Sequence, residues 1–374
     1  MPKIVNGKPE WYYDAQSRSK TTPARVAAED FLRLKYSPQE IDDIERMLKE
    51  DTKPLVWINS LSLSEEEGLE LLRDAEVEVC ASSVNVGNFH LYELGELDLV
   101  AFGQDVLVSE GNVVMSDASS LVVSLLAAQA ALEIARERGY VQSADANDAI
   151  GESEGESESD GSNEVLAENE ISMLEMCAGE GNMTLPLYAA ASEKLRAENA
   201  SARLSQVACE MNTARFNVLD AKVNAQLAYR TETRHLDARR FREDSKFDII
   251  VLDPPCVEAK SLPLTENDHD ALFHQEEVIR TSSLQKSLFL LALSMMKPGS
   301  VLLYTTTSLF NVENEEVIRT SLARAASLGE FEVTYFDIPQ APVQFLRTTC
   351  ENTRLIAPST YTSTRFIARI VRTS

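Results

Sequence analysis

Apolar and polar positions along the chain predict two architectures, one on each side of an acidic stretch at residues 151–170. Before that stretch, residues 55–59 predict a strand, and a capping box formed by Ser64 and Glu67 opens an amphipathic helix to about residue 75. Residues 77–83 and further short apolar runs through residue 108 predict more strands. We therefore expect a small α+β unit here.

Helices are predicted on both sides of this unit. On its N-terminal side, Thr22 and Pro23 open one helix, and residues 37–40 form a second capping box with Pro38 at the first helical position. On its C-terminal side, Ser116 is predicted to cap a long apolar helix from about residue 117 to residue 136.

After the acidic stretch, strand and helix patterns alternate. Strands are predicted at residues 171–176, 204–209, near Thr233, and at 247–252 and 301–304, and helices at 183–197, 213–227 and 283–296. Residues 297–299 are expected to form the turn that ends the last helix, and residues 330–336 and 365–371 an antiparallel pair at the sheet edge. This alternation predicts an α/β fold with a doubly wound, mostly parallel sheet.

The chain is thus divided into four parts: an N-terminal helical segment (1–50), the small α+β subdomain with its connecting helix (51–140), an acidic disordered linker (141–170) and the doubly wound domain (171–374). Residues 151–170 hold eight acidic and no basic side chains, so self-repulsion and lack of apolar surface favour disorder there.

Composition narrows the class of protein. The 374 residues include 35 basic and 60 acidic side chains, for a net charge of −25, which argues against a generally basic binder of polyanions. No apolar run approaches the roughly 18–20 residues of a membrane span, and residues 1–20 lack the apolar core of a secretion signal. The five cysteines form no CxxC pair, so neither a disulfide framework nor a structural metal is expected. We expect an intracellular soluble protein without membrane contact.

Candidate chemistry lies at the ends of successive predicted strands. The first ends in a glycine-bearing turn from Cys177 to Asn182, and the next ends in Glu210, which can accept both hydroxyls of a ribose. Asp237 follows the third as an acceptor within reach of an adenine amine. The fourth runs into residues 253–256, Asp-Pro-Pro-Cys, where two prolines fix a loop carrying an acid and a thiol. Carboxyl ends of parallel strands meet at one edge of a sheet, so these groups are expected to share a cleft.

In this order the motifs resemble the RsmB/Nol/Sun family of RNA 5-methylcytosine methyltransferases. The likeness covers about residues 55–372. It rests on Trp-Ile-Asn at 57–59, Ser-Asp-Ala-Ser at 116–119, Cys-Ala-Gly-Glu-Gly-Asn-Met-Thr at 177–184, Asp-Pro-Pro-Cys at 253–256, Tyr-Thr-Thr-Thr-Ser at 304–308, Glu-Asn-Glu at 313–315 and Arg-Phe-Ile-Ala at 365–368. It implies a Rossmann-type class I methyltransferase domain with an RNA-recognition-like N-terminal subdomain.

The resemblance also implies ligands, partners and site residues. S-adenosylmethionine is the implied cofactor, and its implied binding residues are Cys177, Ala178, Gly179, Glu180, Gly181, Glu210, Arg215, Asp237 and Asp253. The implied partners are ribosomal RNA or a pre-ribosomal particle and a basic helical-repeat protein, with the mitochondrial matrix favoured over the cytoplasm and nucleolus. No mitochondrial presequence is visible at residues 1–20.

The catalytic positions that the resemblance implies are Asp253, Cys256 and Thr307, and the chain departs from the family at the last of them. Family enzymes activate cytosine by adding a thiolate to carbon 6, and the cysteine that supplies it is replaced here by Thr307, whose hydroxyl forms no low-pKa anion. Cys256 is retained, but Glu258 is expected to place a negative charge beside its thiol. In the cofactor loop, a glycine and a lysine of the family are lost and Glu180 is introduced.

Three functions stay open. The first is a protein of ribosomal RNA modification or ribosome assembly with weakened or lost cytosine-5 methylation, that is, a possible pseudoenzyme. The second is an active cytosine-5 methyltransferase that uses Cys256. The third is methyl transfer to an exocyclic amine, because Asp-Pro-Pro at 253–255 resembles the loop of amino methyltransferases.

RNA contact is expected from local basic stretches. The candidates are Arg234, Arg239, Arg240 and Arg242 after the third strand, and Arg347, Arg354 and Arg365 toward the C-terminus. A solvated loop whose arginines are balanced by neighbouring acids is the alternative for the first group.

Overall fold

The computed structural model describes residues 4–5, 8–9, 24–141, 169–226, 229–241, 246–264, 273–338 and 340–374. The helix start predicted at Thr22 and Pro23, and nearly all of the predicted acidic linker, lie outside these residues. The first elements are a short antiparallel pair, β1 (Ile4–Val5) and β2 (Lys8–Pro9), and two helices, α1 (Ala24–Leu32) and α2 (Pro38–Leu48). The predicted capping box at α2 is confirmed, since Ser37 Oγ accepts from the Glu40 amide and Glu40 accepts from the Ser37 amide.

The small unit is a four-stranded antiparallel sheet with helices on both faces. Its elements are β3 (Leu55–Ile58), α3 (Glu65–Asp74), β4 (Val79–Val86), β5 (Phe89–Leu94), α4 (Leu99–Gly103), α5 (Val106–Ser109) and β6 (Val113–Ser116), with strand order β4-β5-β3-β6. The capping box of Ser64 and Glu67 is present at α3. One face, with Trp57 and Leu91, packs on helix α6 (Ala118–Glu137), while Val56 and Tyr92 face α3 and the two short helices.

The second sheet carries the alternation that the sequence predicts. Its elements are β7 (Glu170–Met176), α7 (Thr184–Ala197), β8 (Arg203–Glu210), α8 (Thr213–Ala225), β9 (Thr231–His235), β10 (Phe247–Leu252), α9 (Gln275–Ser294), β11 (Met296–Thr306), α10 (Glu315–Arg324), β12 (Phe331–Val333), β13 (Phe345–Leu346), β14 (Thr353–Ile356) and β15 (Arg365–Arg372). The strand order is β13-β14-β15-β11-β10-β7-β8-β9, with β12 also paired to β15. Strands β7 to β11 are mutually parallel and β15 runs antiparallel to β11, so the predicted doubly wound sheet is confirmed.

Helices cover both faces of this sheet, which explains why its central strand β10 is buried along its whole length. Met173 and Val251 face the core shared with α6 and α7, whereas their neighbours Leu174 and Leu252 face the core formed with α1, α2, α9 and α10. The chain runs outward from β7 to β8 and β9 and then returns to β10 on the other side of β7. Ligands of such sheets bind at this reversal of strand order, beyond the carboxyl ends of the strands.

Several predicted elements are wrong. Asp117, not Ser116, is the N-cap of α6: its carboxylate accepts from the Ser119 amide at 2.8 Å, which the shorter serine one residue earlier does not do. Residues 99–109, expected as strand, form α4 and α5, each capped by an aspartate. The turn expected at residues 297–299 lies within β11.

The predicted C-terminal pair also differs in position. Strands β12 and β15 do pair antiparallel, but β15 lies inside the sheet between β11 and β14. Helix α6, at 20 residues, has the length and composition to cross a membrane, although no such run was expected; most of it is buried in the core of the protein.

Candidate active site

A cavity of about 770 Å³ opens at the carboxyl ends of β7 to β11. The structure brings nearly all the predicted site residues to its wall, namely Cys177, Ala178, Gly179, Glu180, Glu210, Arg215, Asp237, Asp253, Cys256 and Thr307. Gly181 belongs to the same loop but is not among the lining residues. The N-terminal end of α6 and Arg365 complete the wall, so the cavity lies between the large sheet and the connecting helix.

The loop after β7 turns sharply because three of its residues have a left-handed backbone. The φ angles are +64° at Cys177, +60° at Gly179 and +82° at Gly181. Glycine is needed at position 181, where an added Cβ would lie 2.9 Å from Leu219 Cδ1. The Gly179 amide donates to Glu210 Oε2 at 2.9 Å, which ties the loop to the end of the neighbouring strand.

Glu210 is a nearly buried carboxylate that keeps capacity for a ligand. Its Oε1 atom accepts from the Asn212 amide at 2.7 Å and lies 3.2 Å from Arg215 Nη2. Its Oε2 atom accepts the Gly179 amide, and a carboxylate oxygen has room for a second donor. A ribose hydroxyl is a donor of the required kind. The loop, this acid and the cavity volume therefore fit the adenosyl part of S-adenosylmethionine.

Asp237 also has a local structural role. It is the N-cap of a single 3-10 turn and accepts from Arg239 through the amide at 3.0 Å and the guanidinium at 2.7 Å. The hydrogen bond from Arg239 holds the pKa of Asp237 below its usual value. The contact of Asp237 with an adenine amine stays a prediction.

Arg365 is predicted from the sequence to contact RNA, but the structure places it in the wall of the cavity. It is 5% exposed, and its Nη1 atom lies 3.2 Å from Asp253 Oδ2 and donates to Thr305 Oγ1 at 3.3 Å. Its Nη2 atom donates to Ser120 Oγ at 3.0 Å. Burial raises the pKa of Asp253, although Arg365 opposes the shift. Arg365 therefore fixes the Asp-Pro-Pro-Cys loop instead of reaching outward to a phosphate.

The other proposed RNA contacts are arranged differently. Arg239 and Arg240 are exposed near the cavity mouth, and Arg242 lies outside the described residues. Arg347 pairs with Glu40 of α2, and Arg354 stacks on Tyr335. Arg234 pairs with Glu232 on its own strand. Of the six candidates that the structure describes, Arg239 and Arg240 are thus the best placed for a nucleic acid at the cavity.

Cys256 and Thr307 meet in the wall of the cavity. Cys256 Sγ lies 3.2 Å from Thr307 Oγ1, so the retained thiol adjoins the position where the family has its nucleophilic cysteine. Burial and the charge of Glu313 raise the pKa of Cys256 to about 12, against the hydrogen bond with Thr307. The thiol is therefore protonated at neutral pH, and the chain has no ready thiolate at either position.

Glu313 is the first residue of the Glu-Asn-Glu motif, but the sequence assigned it no role beside the thiol. It is fully buried and accepts from Thr281 Oγ1 and Ser308 Oγ, both at 2.5 Å, and from the Val257 amide at 3.2 Å. Burial raises its own pKa. The carboxylate acting on the Cys256 thiol is Glu313, whereas the sequence had suggested the exposed Glu258.

Glu175 is a second missed residue. It lies on β7 beneath the glycine loop, lines the cavity and is 1% exposed. Gln206 Nε2 donates to its Oε2 at 3.4 Å. Burial raises the pKa of Glu175 to about 8, with a smaller contribution from Asp253. Its position inside an apolar strand gave no sign in the sequence that it would face a ligand cavity.

Comparison with known proteins supports a methyltransferase. A family model described as 16S rRNA methyltransferase RsmB/F matches residues 165–371. Ribosomal RNA small subunit methyltransferase F of Pectobacterium atrosepticum is 31% identical over 164 residues, which are 43% of this chain and 31% of that protein. The protein of the same name from Shewanella loihica is 34% identical over 130 residues, 34% of this chain and 26% of that one. The match spans less than a third of the length of these relatives.

Solved structures resemble the chain over most of its length. NSun6 from Pyrococcus horikoshii with SFG has a TM-score of 0.59 at 12% identity, covering 92% of this chain and 97% of that one. A methyltransferase homolog protein from Pyrococcus horikoshii has a TM-score of 0.56 at 17% identity, covering 92% and 98%. At identities this low the likeness is evidence for the fold alone, and the predicted class I methyltransferase fold is confirmed.

Proposed function

Since this chain belongs to the RsmB/F family of 16S rRNA methyltransferases, we propose that it binds S-adenosylmethionine and ribosomal RNA but methylates carbon 5 of cytosine weakly or not at all. Membership confirms the family that the sequence resembled. It also supports S-adenosylmethionine as the cofactor. The proposal concerns what the chain does with these ligands.

One observation carries the proposal, which is the pairing of Cys256 with Thr307 at 3.2 Å. Carbon 5 of cytosine is a poor nucleophile until a thiolate adds to carbon 6 and makes the ring an enamine. The position that supplies this thiolate in the family is held by a threonine, and the adjacent thiol has its pKa raised to about 12. At pH 7 the thiol of Cys256 is therefore protonated.

The rest of the site retains what binding needs. S-adenosylmethionine would supply the methyl group and a sulfonium charge. Glu210 would accept a ribose hydroxyl at Oε2, and Glu180 would lie near the cation as a favourable charge. Arg365 holds Asp253 in the wall of the cavity, where that acid would face the target base. These residues orient two ligands without themselves forming a covalent bond.

The active alternative uses Cys256 as nucleophile. It is favoured by the same 3.2 Å contact, because a thiol beside Thr307 lies near the place where the family thiolate would attack. The alternative needs the bound base or RNA to lower the pKa of Cys256 by several units. Transfer to an exocyclic amine, the remaining alternative, needs no thiolate and would use Asp253 as acceptor for the amine protons.

We propose ribosome assembly as the setting, with a basic helical-repeat protein as partner. The net charge of −25 and the exposed Glu65, Glu66 and Glu70 along α3 favour a partner of opposite sign. Capture of the tagged protein from cell extract should recover ribosomal RNA together with such a protein. Recovery of neither would contradict the assembly role.

Trapping with RNA that contains 5-fluorocytosine tests the chemistry. The fluorine blocks loss of the substituent at carbon 5, so a thiolate enzyme stays covalently attached after methyl transfer. We expect no adduct with the wild type and an adduct with Thr307→Cys, which restores the family thiol; Thr307→Ser is the matched control and should form none. An adduct of the wild type that disappears in Cys256→Ala would overturn the proposal in favour of the active alternative.

A further inference from the structure

Lys222 of α8 is a buried cation that no step above uses. It is 2% exposed, and its Nζ atom donates to Asn182 Oδ1 at 2.8 Å. Asn182 lies in the loop after β7 and lines the cavity, whereas Lys222 stands behind that loop and is not a lining residue. Its effect on a ligand would therefore pass through Asn182.

Burial of this ammonium is costly, and the loop offsets the cost. Desolvation lowers the pKa of Lys222, and the charge of Glu180 in the same loop opposes that shift. A buried charge is retained only where hydrogen bonds and opposite charge compensate it. The loop supplies both, an amide oxygen from Asn182 and a carboxylate from Glu180. The bond thus holds a loop that contains a negative residue and three left-handed backbone positions.

Helix α8 is fixed at its C-terminal end, next to Lys222, so that Lys222 has a defined position. One turn on, Gln226 accepts from Asn59 Nδ2 at 3.2 Å and from Ser62 Oγ at 2.5 Å, both in the small unit. Gly111 of that unit lies against the helix, where an added Cβ would come within 3.5 Å of the Lys222 carbonyl oxygen. The ammonium is therefore aimed at the loop by an anchored helix.

We propose that Lys222 is a positioning residue for the cofactor, holding the β7–α7 loop in its binding geometry through Asn182. The inference rests on the proposed function, because it takes this loop to bind S-adenosylmethionine. It assigns to α8 a connection between the small unit and the cofactor loop. Loss of the ammonium should leave the fold intact and loosen the loop.

Calorimetric titration of S-adenosylmethionine into the full chain tests it. Lys222→Met keeps the length of the side chain and removes its charge, and should weaken binding at least tenfold. Lys194→Met on α7 is the control, because Lys194 is partly exposed and pairs with Glu198 on its own helix; it should bind like the wild type. Lys222→Arg, which keeps the charge, should recover part of the affinity.

A double-mutant cycle separates positioning from general destabilisation. If Lys222 acts through Asn182, then Asn182→Ala should weaken binding similarly, and the double variant should be no weaker than the worse single variant. Fully additive losses, or wild-type affinity in Lys222→Met, would overturn the inference.

Hydrogen exchange of the loop amides distinguishes failure of this inference from failure of the proposed function. If the wild type itself shows no binding heat, the proposed cofactor role fails. Lys222→Met should even then speed exchange at residues 178–184, with unchanged exchange in the sheet. Unchanged exchange in the loop would show that Lys222 does not hold it.

Discussion

The pKa values of two carboxylates in the cavity are shifted in opposite directions by their surroundings. Asp237 lies at a turn with the guanidinium of Arg239 on it, which keeps its pKa below the usual value. Glu175 lies within a sheet, and burial raises its pKa to about 8. The sequence marked the first because it follows a strand. It did not mark the second, because the face toward which a strand residue points depends on the packing of both sides of the sheet.

Glu175 makes stability depend on pH in a predictable direction. A carboxyl whose pKa is raised from 4.5 to about 8 on folding binds a proton that the unfolded chain has released. Its contribution is therefore present below about pH 4.5 and is lost as pH rises toward 8, by up to about 1.4 kcal/mol per pH unit. Urea unfolding of the wild type and Glu175→Gln at pH 5, 6, 7 and 8 should show the variant gaining relative stability at each step. Parallel curves for the two proteins would exclude this role.

At the scale of elements, local signals predicted helices and strands well and their ends less well. The capping boxes at Ser37 and Ser64 were read correctly because the motif is contained within four residues. The cap of α6 was placed one residue early. The cap residue Asp117 also interacts with groups distant in sequence: it accepts from the Ser363 amide at 3.3 Å and lies near the charge of Arg365.

Asp117 should therefore contribute more to stability than an ordinary cap. Although burial opposes its ionisation, the charge of Arg365 and the serine hydrogen bonds hold its pKa below the usual value. We expect Asp117→Ala to lower the free energy of unfolding by about 2 kcal/mol or more, since a cap is lost and a buried arginine loses a counter-charge. Ser64→Ala, at an exposed cap, should cost about 1 kcal/mol. Urea denaturation measures both.

Asp117→Asn separates the contribution of the cap hydrogen bond from that of the negative charge. Asparagine still accepts the amide hydrogen bond but carries no charge, so its cost should lie between zero and that of Asp117→Ala. If the alanine variant loses no more than Ser64→Ala, then Arg365 does not depend on Asp117.

At the scale of the whole molecule, the alternation of strands and helices was sufficient to predict the parallel sheet, and the family motifs predicted which strand ends form the cavity. The contacts that join the small unit to the sheet were not predictable. Asn59, fully buried, donates to Gln226 Oε1 at 3.2 Å and accepts from Tyr229 across 170 positions of sequence. Nothing local to Asn59 indicates such partners, because each becomes a neighbour only after both units have folded.

The chemistry of the site is likewise only partly predictable from the sequence. Replacement of the family cysteine by Thr307 is visible in the sequence, whereas the raised pKa of Cys256 comes from burial in the fold and from the charge of Glu313, which precedes α10. Sequence motifs identified the groups that could react. The surroundings that set their reactivity come in large part from residues distant in sequence, such as Glu313 beside Cys256.

Mass spectrometry of nucleosides from small-subunit ribosomal RNA, incubated with S-adenosylmethionine and the purified protein, tests the central claim most directly. The account predicts no 5-methylcytosine above background with the wild type and a clear gain with Thr307→Cys, while Thr307→Ser stays at background. Formation of 5-methylcytosine by the wild type, and its loss in Cys256→Ala, would contradict the claim that the thiol chemistry has been lost.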